Sequence, residues 1–200
     1  MSRPYSIQDA SKAHFITATV VDWMDVFTRK AYCDIVEENL NFYIKNKGLI
    51  VYGYVIMSNH LHAILQAENL DLSEVLRDFK KFTAKQILNK IQTETESRRE
   101  WMLERFKKAA QTHHRNRTYQ FWRYGNHAEE IFSETFLWSK LDYIHFNPVK
   151  AGIVKRPRDY LCSSARNYIE GKGNVQVTLA DNPVVDTTKV SNISKMSRYD

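Results

Sequence analysis

The sequence predicts an α+β domain, an antiparallel sheet with helices on one face and the other face free for a site. Three observations carry this. Leu49–Met57 and His60–Gln66 are apolar, strand-like runs separated only by the turn signal Ser58-Asn59. Two longer stretches repeat apolar residues at helical spacing. The order strand, helix, hairpin, helix, strand, helix suits an antiparallel sheet packed against helices.

The elements follow in order. Ala13–Val21 is rich in β-branched residues and reads as the first strand. Lys30–Lys45 carries Ile35, Val36, Leu40, Phe42, Tyr43 and Ile44 in a helical pattern, and Gly48 is placed to cap its end. After the hairpin, Leu72-Ser73 opens a long amphipathic helix, with Ser73 as N-cap and a stripe from Val75 to Ile91. The charged stretch 94–116 reads as helix or as an excursion from the core. Gln120–Ile131 reads as extended chain. Ser133 caps a last major helix running to about Phe146, limited by Pro148. Ala151–Tyr168 is a short return segment. Residues 1–170 thus form a single domain, and 171–200 a loosely ordered C-terminal tail.

Composition narrows the class. The chain has 43% hydrophobic and 12% aromatic residues, enough for a core, and only six Gly and four Pro, which excludes a low-complexity chain. No apolar run is long enough to span a membrane, and no signal peptide is expected. Two cysteines make no disulfide framework, and a cytoplasmic setting is expected. Net charge is +6, and thirteen basic against five acidic residues lie between Arg77 and Arg123. Tyr119, Phe121, Trp122 and Tyr124 cluster at the C-terminal end of that span. Basic groups neutralise phosphates and aromatics stack on unpaired bases, although a solvated helix face beside core aromatics gives the same pattern.

Two strings carry chemistry. In His60-Leu61-His62, strand alternation turns both imidazoles to one side, about 7 Å apart along the backbone. Two neutral imidazoles so spaced can share a divalent ion, or can simply face solvent. Two nitrogens leave most of an octahedral shell open for water or phosphate, as Mg²⁺ and Mn²⁺ prefer; a structural zinc would want four protein ligands. In the last major helix, Leu137, Leu141 and Ile144 form a core stripe. Tyr143 lies off it, and Asn147 follows one turn later on the same side. Local hydrogen bonding of Tyr143 and a C-cap role for Asn147 are the plain alternatives. His145 reads as a surface residue.

Tyr54-Val-Ile-Met-Ser-Asn-His-Leu-His62 resembles the histidine–hydrophobe–histidine strand of single-tyrosine HUH transposases. Phe121-Trp-Arg-Tyr-Gly-Asn-His127, then Leu141-Asp-Tyr-Ile-His-Phe-Asn-Pro-Val-Lys-Ala-Gly152, then Ser163-Ser-Ala165 resemble the REP-associated tyrosine transposase branch. The match runs in order over about residues 13–170. It implies a ferredoxin-like (RRM-like) HUH endonuclease/transposase core. The implied activity is metal-dependent nicking and transfer of single-stranded DNA through a 5′-phosphotyrosine. Tyr143 matches the nucleophile, His60 and His62 the metal ligands, and Asn147 a polar third ligand. Mg²⁺ or Mn²⁺ is the implied cofactor. Single-stranded DNA with an adjacent hairpin is the implied partner, with nucleoid association when DNA is bound. Relatives act as monomers or as dimers exchanging the tyrosine helix, and both states stay open. Lys80, Lys81, Lys85, Arg115 and Arg117 are the expected phosphate contacts; Trp122 and Tyr124 are candidate base platforms, with burial in the core the favoured alternative for at least one. The competing readings are a non-catalytic nucleic-acid-binding protein derived from a transposase and a metal-dependent hydrolase that uses water.

Overall fold

A computed structural model of the chain describes residues 7, 9, 11–68, 71–112 and 118–180. The elements are β1 (His14–Thr19), α1 (Lys30–Lys47), β2 (Leu49–Ile56), β3 (His60–Ala67), α2 (Leu72–Thr93), α3 (Arg99–Gln111), β4 (His127–Glu130), α4 (Glu134–Lys150) and α5 (Ala165–Glu170). The four strands form one antiparallel sheet in the order β2-β3-β1-β4. That is the ferredoxin-like arrangement expected, with α1 and α2 as its two crossover helices.

Local chemistry explains the boundaries. Gly48 takes φ +61° at the end of α1, a conformation cheap only for glycine. At the start of α2 the capping side chain is Asp71, which accepts from the Ser73 amide; the expected cap, Ser73, lies inside the first turn. Ser133 caps α4 as expected, accepting from the Phe136 amide. Pro148 sits inside α4 rather than stopping it at about Phe146, and the helix ends two residues later. Residues 99–111 of the charged stretch form α3, with Met102, Phe106 and Ala110 buried.

The sheet is covered on both faces. Ile16, Ala18, Tyr54, Ile56, Leu61, Ala63 and Leu65 pack with Val36 and Leu40 of α1 and Val75, Leu76 and Phe79 of α2. On the opposite face Phe15, Val55 and Ile64 pack with Trp138, Leu141 and Ile144 of α4. The expectation of helices on one face holds for α1 and α2; α4 takes part of the face expected to be free. It comes close because β2 presents Gly53 there. A Cβ at Gly53 would lie 2.6 Å from Leu141 Cδ2 and 3.3 Å from Ser164 Oγ.

Two more expectations are corrected. His145 is fully buried, not on the surface, and its Nε2 lies 2.9 Å from Ser164 Oγ. The chain also stays docked past Gly171: Val175 is buried, the Thr178 amide donates to Val51 O, and Asn174 Nδ2 donates to Glu37 Oε2. The rest of the expected tail, 181–200, lies outside the described residues.

Candidate active site

The site lies at the α4-facing side of β3. Leu61, Ala63 and Leu65 point into the α1/α2 core, so alternation turns His60 and His62 the other way. Their ring centroids are 4.6 Å apart. Tyr143, carried by α4, sets its Oη 3.4 Å from His62 Nε2 within the same chain, and stays 40% exposed. Phe15 stacks on His62 at 5.2 Å and meets Tyr143 edge-on at 5.8 Å.

Each histidine is held through its Nδ1. Asn59 Nδ2 faces two acceptors, Trp23 O at 3.2 Å and Asp25 Oδ1 at 3.0 Å. Its Oδ1 must therefore be the atom 2.7 Å from His60 Nδ1. An oxygen acceptor there requires a proton on Nδ1, which leaves the lone pair of His60 on Nε2. His62 Nδ1 lies 2.9 Å from Thr17 Oγ1. Thr17 is opposite His62 on β3 and opposite His127 on β4, so the three form one row across the sheet.

Electrostatics keep the pair neutral. Burial, then the positive charges of His60, Lys140 and His127, push His62 down to about 3; burial also lowers His60. An imidazole titrating near 3 sits about seven pH units below an ordinary phenol. His62 is therefore too weak a base to take a phenol's proton, and better suited to offer its lone pair to a cation. Lys140, just before Tyr143 on α4, is paired with Glu129 at 2.8 Å and lies 4.4 Å from the Phe15 ring centroid. The cation over the Tyr143 ring is Lys150, 5.9 Å from its centroid.

Asn147 is half-buried on α4, one turn after Tyr143. The expected DNA contacts separate. Lys80 is an internal strut, not a free phosphate contact: its Nζ donates to Arg123 O, Gly125 O and Asn126 Oδ1 at 2.9, 2.9 and 3.2 Å. Burial lowers its pKa to about 8. Trp122 is no base platform; it is 5% exposed, stacked on Phe27, and donates from Nε1 to Thr83 Oγ1. Lys81, Lys85 and the exposed Tyr124 line a groove of about 1120 Å³ between α2 and residues 118–126. Since α2 packs on the far face of the sheet, the fold does not bring those lysines together with the histidines. Arg115 and Arg117 lie outside the described residues.

The supports of the site are not evident in the sequence. Asn59 reads as a turn residue, although its place directly before His60 is a signal. Trp23 carries no signal of its own. It is 56% exposed and meets the His60 ring at 6.2 Å, edge-on. Asp22 and Trp23 both take left-handed φ, +54° and +53°, which costs non-glycine residues about 1–3 kcal/mol each. The Asn59 contacts hold that strained loop to the turn bearing His60.

Comparison with known proteins agrees with this architecture. No curated protein sequence matches the chain. The solved structure of a REP-associated tyrosine transposase bound to a REP hairpin superposes with a TM-score of 0.59 at 18% sequence identity, covering 96% of this chain and 99% of that one. At that identity the likeness speaks for the fold. The family described as "Transposase IS200 like" matches residues 8–140, which spans the whole sheet and the histidine strand and stops three residues short of Tyr143. With well over half its length matched, the chain belongs to the IS200-like transposase family.

Proposed function

We propose that the protein nicks and rejoins single-stranded DNA, with Tyr143 as nucleophile. The observation that carries this is the Tyr143 hydroxyl 3.4 Å from His62 Nε2 in one chain, with the phenol 40% exposed to solvent.

Tyr143 Oη attacks a backbone phosphorus. A P–Oη bond forms, the P–O3′ bond breaks, and the departing oxygen takes a proton to become a free 3′-OH. The protein then holds a 5′-phosphotyrosine, and attack by another 3′-OH reverses the step and joins new strands. Phe15 packs against both the His62 and the Tyr143 rings and fixes their relation. Lys150 offers positive charge beside the phenol.

The donor set fits a divalent cation held by few protein ligands. Both histidines are neutral near pH 7, His60 has a bare Nε2, and Asn147 can add an amide oxygen. No cluster of three or more His, Cys, Asp or Glu among the described residues could hold an ion by itself. Such an open shell suits Mg²⁺ or Mn²⁺, which when bound would draw charge from the scissile phosphate.

An unpaired strand is the substrate that the resemblance to single-tyrosine HUH transposases implies. The hairpin bound by the similar solved structure supports a hairpin beside the nicked strand.

The test is incubation of labelled, hairpin-flanked single strands with the protein and Mn²⁺. A covalent protein–DNA adduct is expected, and Tyr143→Phe should abolish it while binding persists. Cleavage that survives Tyr143→Phe points to water as nucleophile. Binding without any adduct in the unaltered protein points to a non-catalytic nucleic-acid-binding protein.

A further inference from the structure

Trp23 stands out among the exposed aromatic side chains because so much structure holds it out. Its backbone and that of Asp22 occupy the left-handed region without glycine. Its carbonyl is tied to Asn59 Nδ2 at 3.2 Å, next to His60. The Arg123 guanidinium lies 5.8 Å from its ring centroid. More than half of the side chain nevertheless stays open to solvent, at 56%. Backbone strain that exposes an indole does nothing for a core and suits a contact surface.

Arg123 continues the path. It lines a hollow of about 500 Å³ together with Asp22, Arg105 and Lys108, the last two from α3. The carboxylate of Asp22 is 3.8 Å from Arg105, which leaves Lys108 and Arg123 as net positive charge in the hollow. His62, His60, Trp23, Arg123 and the hollow thus form a chain of neighbours, with ring-to-ring and cation-to-ring steps of 4.6, 6.2 and 5.8 Å.

We infer that Trp23 is a stacking platform for an unpaired base next to the nicked phosphate, and that the α3 hollow receives the phosphates beyond it. This rests on the single-strand reading of the site. It assigns α3, the helix of the charged stretch, to gripping the strand on one side of the cut.

The experiment measures binding of a fluorescent single strand of mixed sequence by anisotropy, in EDTA, with the full chain and a probe of about 12 nucleotides, within the usual site size of such grooves. Trp23→Ala is expected to weaken binding about 5- to 100-fold, as removal of one base stack does, and Trp23→Phe to stay within about three-fold of the unaltered protein. Lys108→Gln should flatten the salt dependence, by about 0.7 in log–log slope for the phosphate left without its cation, while Trp23→Ala leaves that slope unchanged. An abasic residue walked along the probe should find one position at which Trp23→Ala has no further effect. Trp23→Ala binding as tightly as the unaltered protein in EDTA overturns the inference. So does an effect confined to Mn²⁺ binding, which would make Trp23 a buttress for His60. Adduct formation by the same unaltered protein is read separately. An adduct with no Trp23 effect sinks the stacking site alone, and a Trp23 effect with no adduct sinks the nicking chemistry alone.

Discussion

At the scale of single residues, the site depends on which ring nitrogens are free. Asn59 decides this for His60, since its amide is oriented by Trp23 O and Asp25 Oδ1 before it meets the imidazole. Asn59→Ala should therefore weaken Mn²⁺ binding about 10- to 100-fold, read by calorimetric titration, with both histidines still present. Histidine burial also couples folding to pH. His62 and His145 are both lowered to about 3 by burial, so the folded chain keeps them neutral where the unfolded chain protonates them. The unfolded state then binds more protons between about pH 6.5 and 3, and stability falls as pH drops through that window. From about pH 6.5 to about 5.5 each histidine should remove about 1 kcal/mol of unfolding free energy, measured in urea, and His145→Asn should remove one share of that slope. The histidine pair and Tyr143 are legible in the sequence because spacing alone turns them to defined sides. His145 is not, although it follows Leu141 by four and belongs to the same buried stripe. Its polarity suggests solvent, and the hydroxyl that satisfies it, on Ser164, lies 19 residues on. Lys80 is illegible for a similar reason, because its acceptors come from residues 123–126.

At the scale of elements, strand and helix identities are plain in the apolar runs and periodicities, and the caps fall within a residue or two of their expected places. The side of the sheet chosen by α4 is not. Leu137, Leu141 and Ile144 show that the helix has an apolar stripe, but a sheet with two apolar faces offers it two places. The choice is made by Gly53, whose missing side chain admits Leu141, and by Tyr54 N and O, which bond Ser164 Oγ and N in the return segment. Gly53→Ala should lift α4 off β2, lowering stability by about 1–3 kcal/mol in urea unfolding. Because His60 and His62 ride on β3, Mn²⁺ binding should persist while adduct yield falls several-fold. Equal loss of both would show that the whole sheet had been disturbed. The charged stretch is ambiguous in sequence for a physical reason: α3 is pinned by a buried carboxylate. Burial opposes the charge of Glu96, but hydrogen bonds from Arg98, Tyr32 and Arg29 overcome it and hold the group near 2. Tyr32 and Arg29 precede Glu96 by 64 and 67 residues, a separation that no local pattern bridges.

At the scale of the whole molecule, Tyr143 and both imidazoles belong to one chain, so on the proposed reading a single copy makes the cut. Mixing Tyr143→Phe chains with His62→Ala chains should restore no adduct, as judged by denaturing electrophoresis; recovery of activity would mean that the tyrosine crosses between subunits. No helix among the described residues is long and apolar enough to cross a membrane, and the fold class, sheet order and family can all be read from the chain. The routes open to a ligand cannot, because they depend on what covers what. With α1 and α2 roofing one side of the sheet and α4 part of the other, less of the β-surface is left on which several nucleotides could lie side by side. On the proposed reading, an incoming strand arrives near the β2–β3 turn, Trp23 and the exposed Tyr143 and runs as a thread rather than as a sheet-wide footprint.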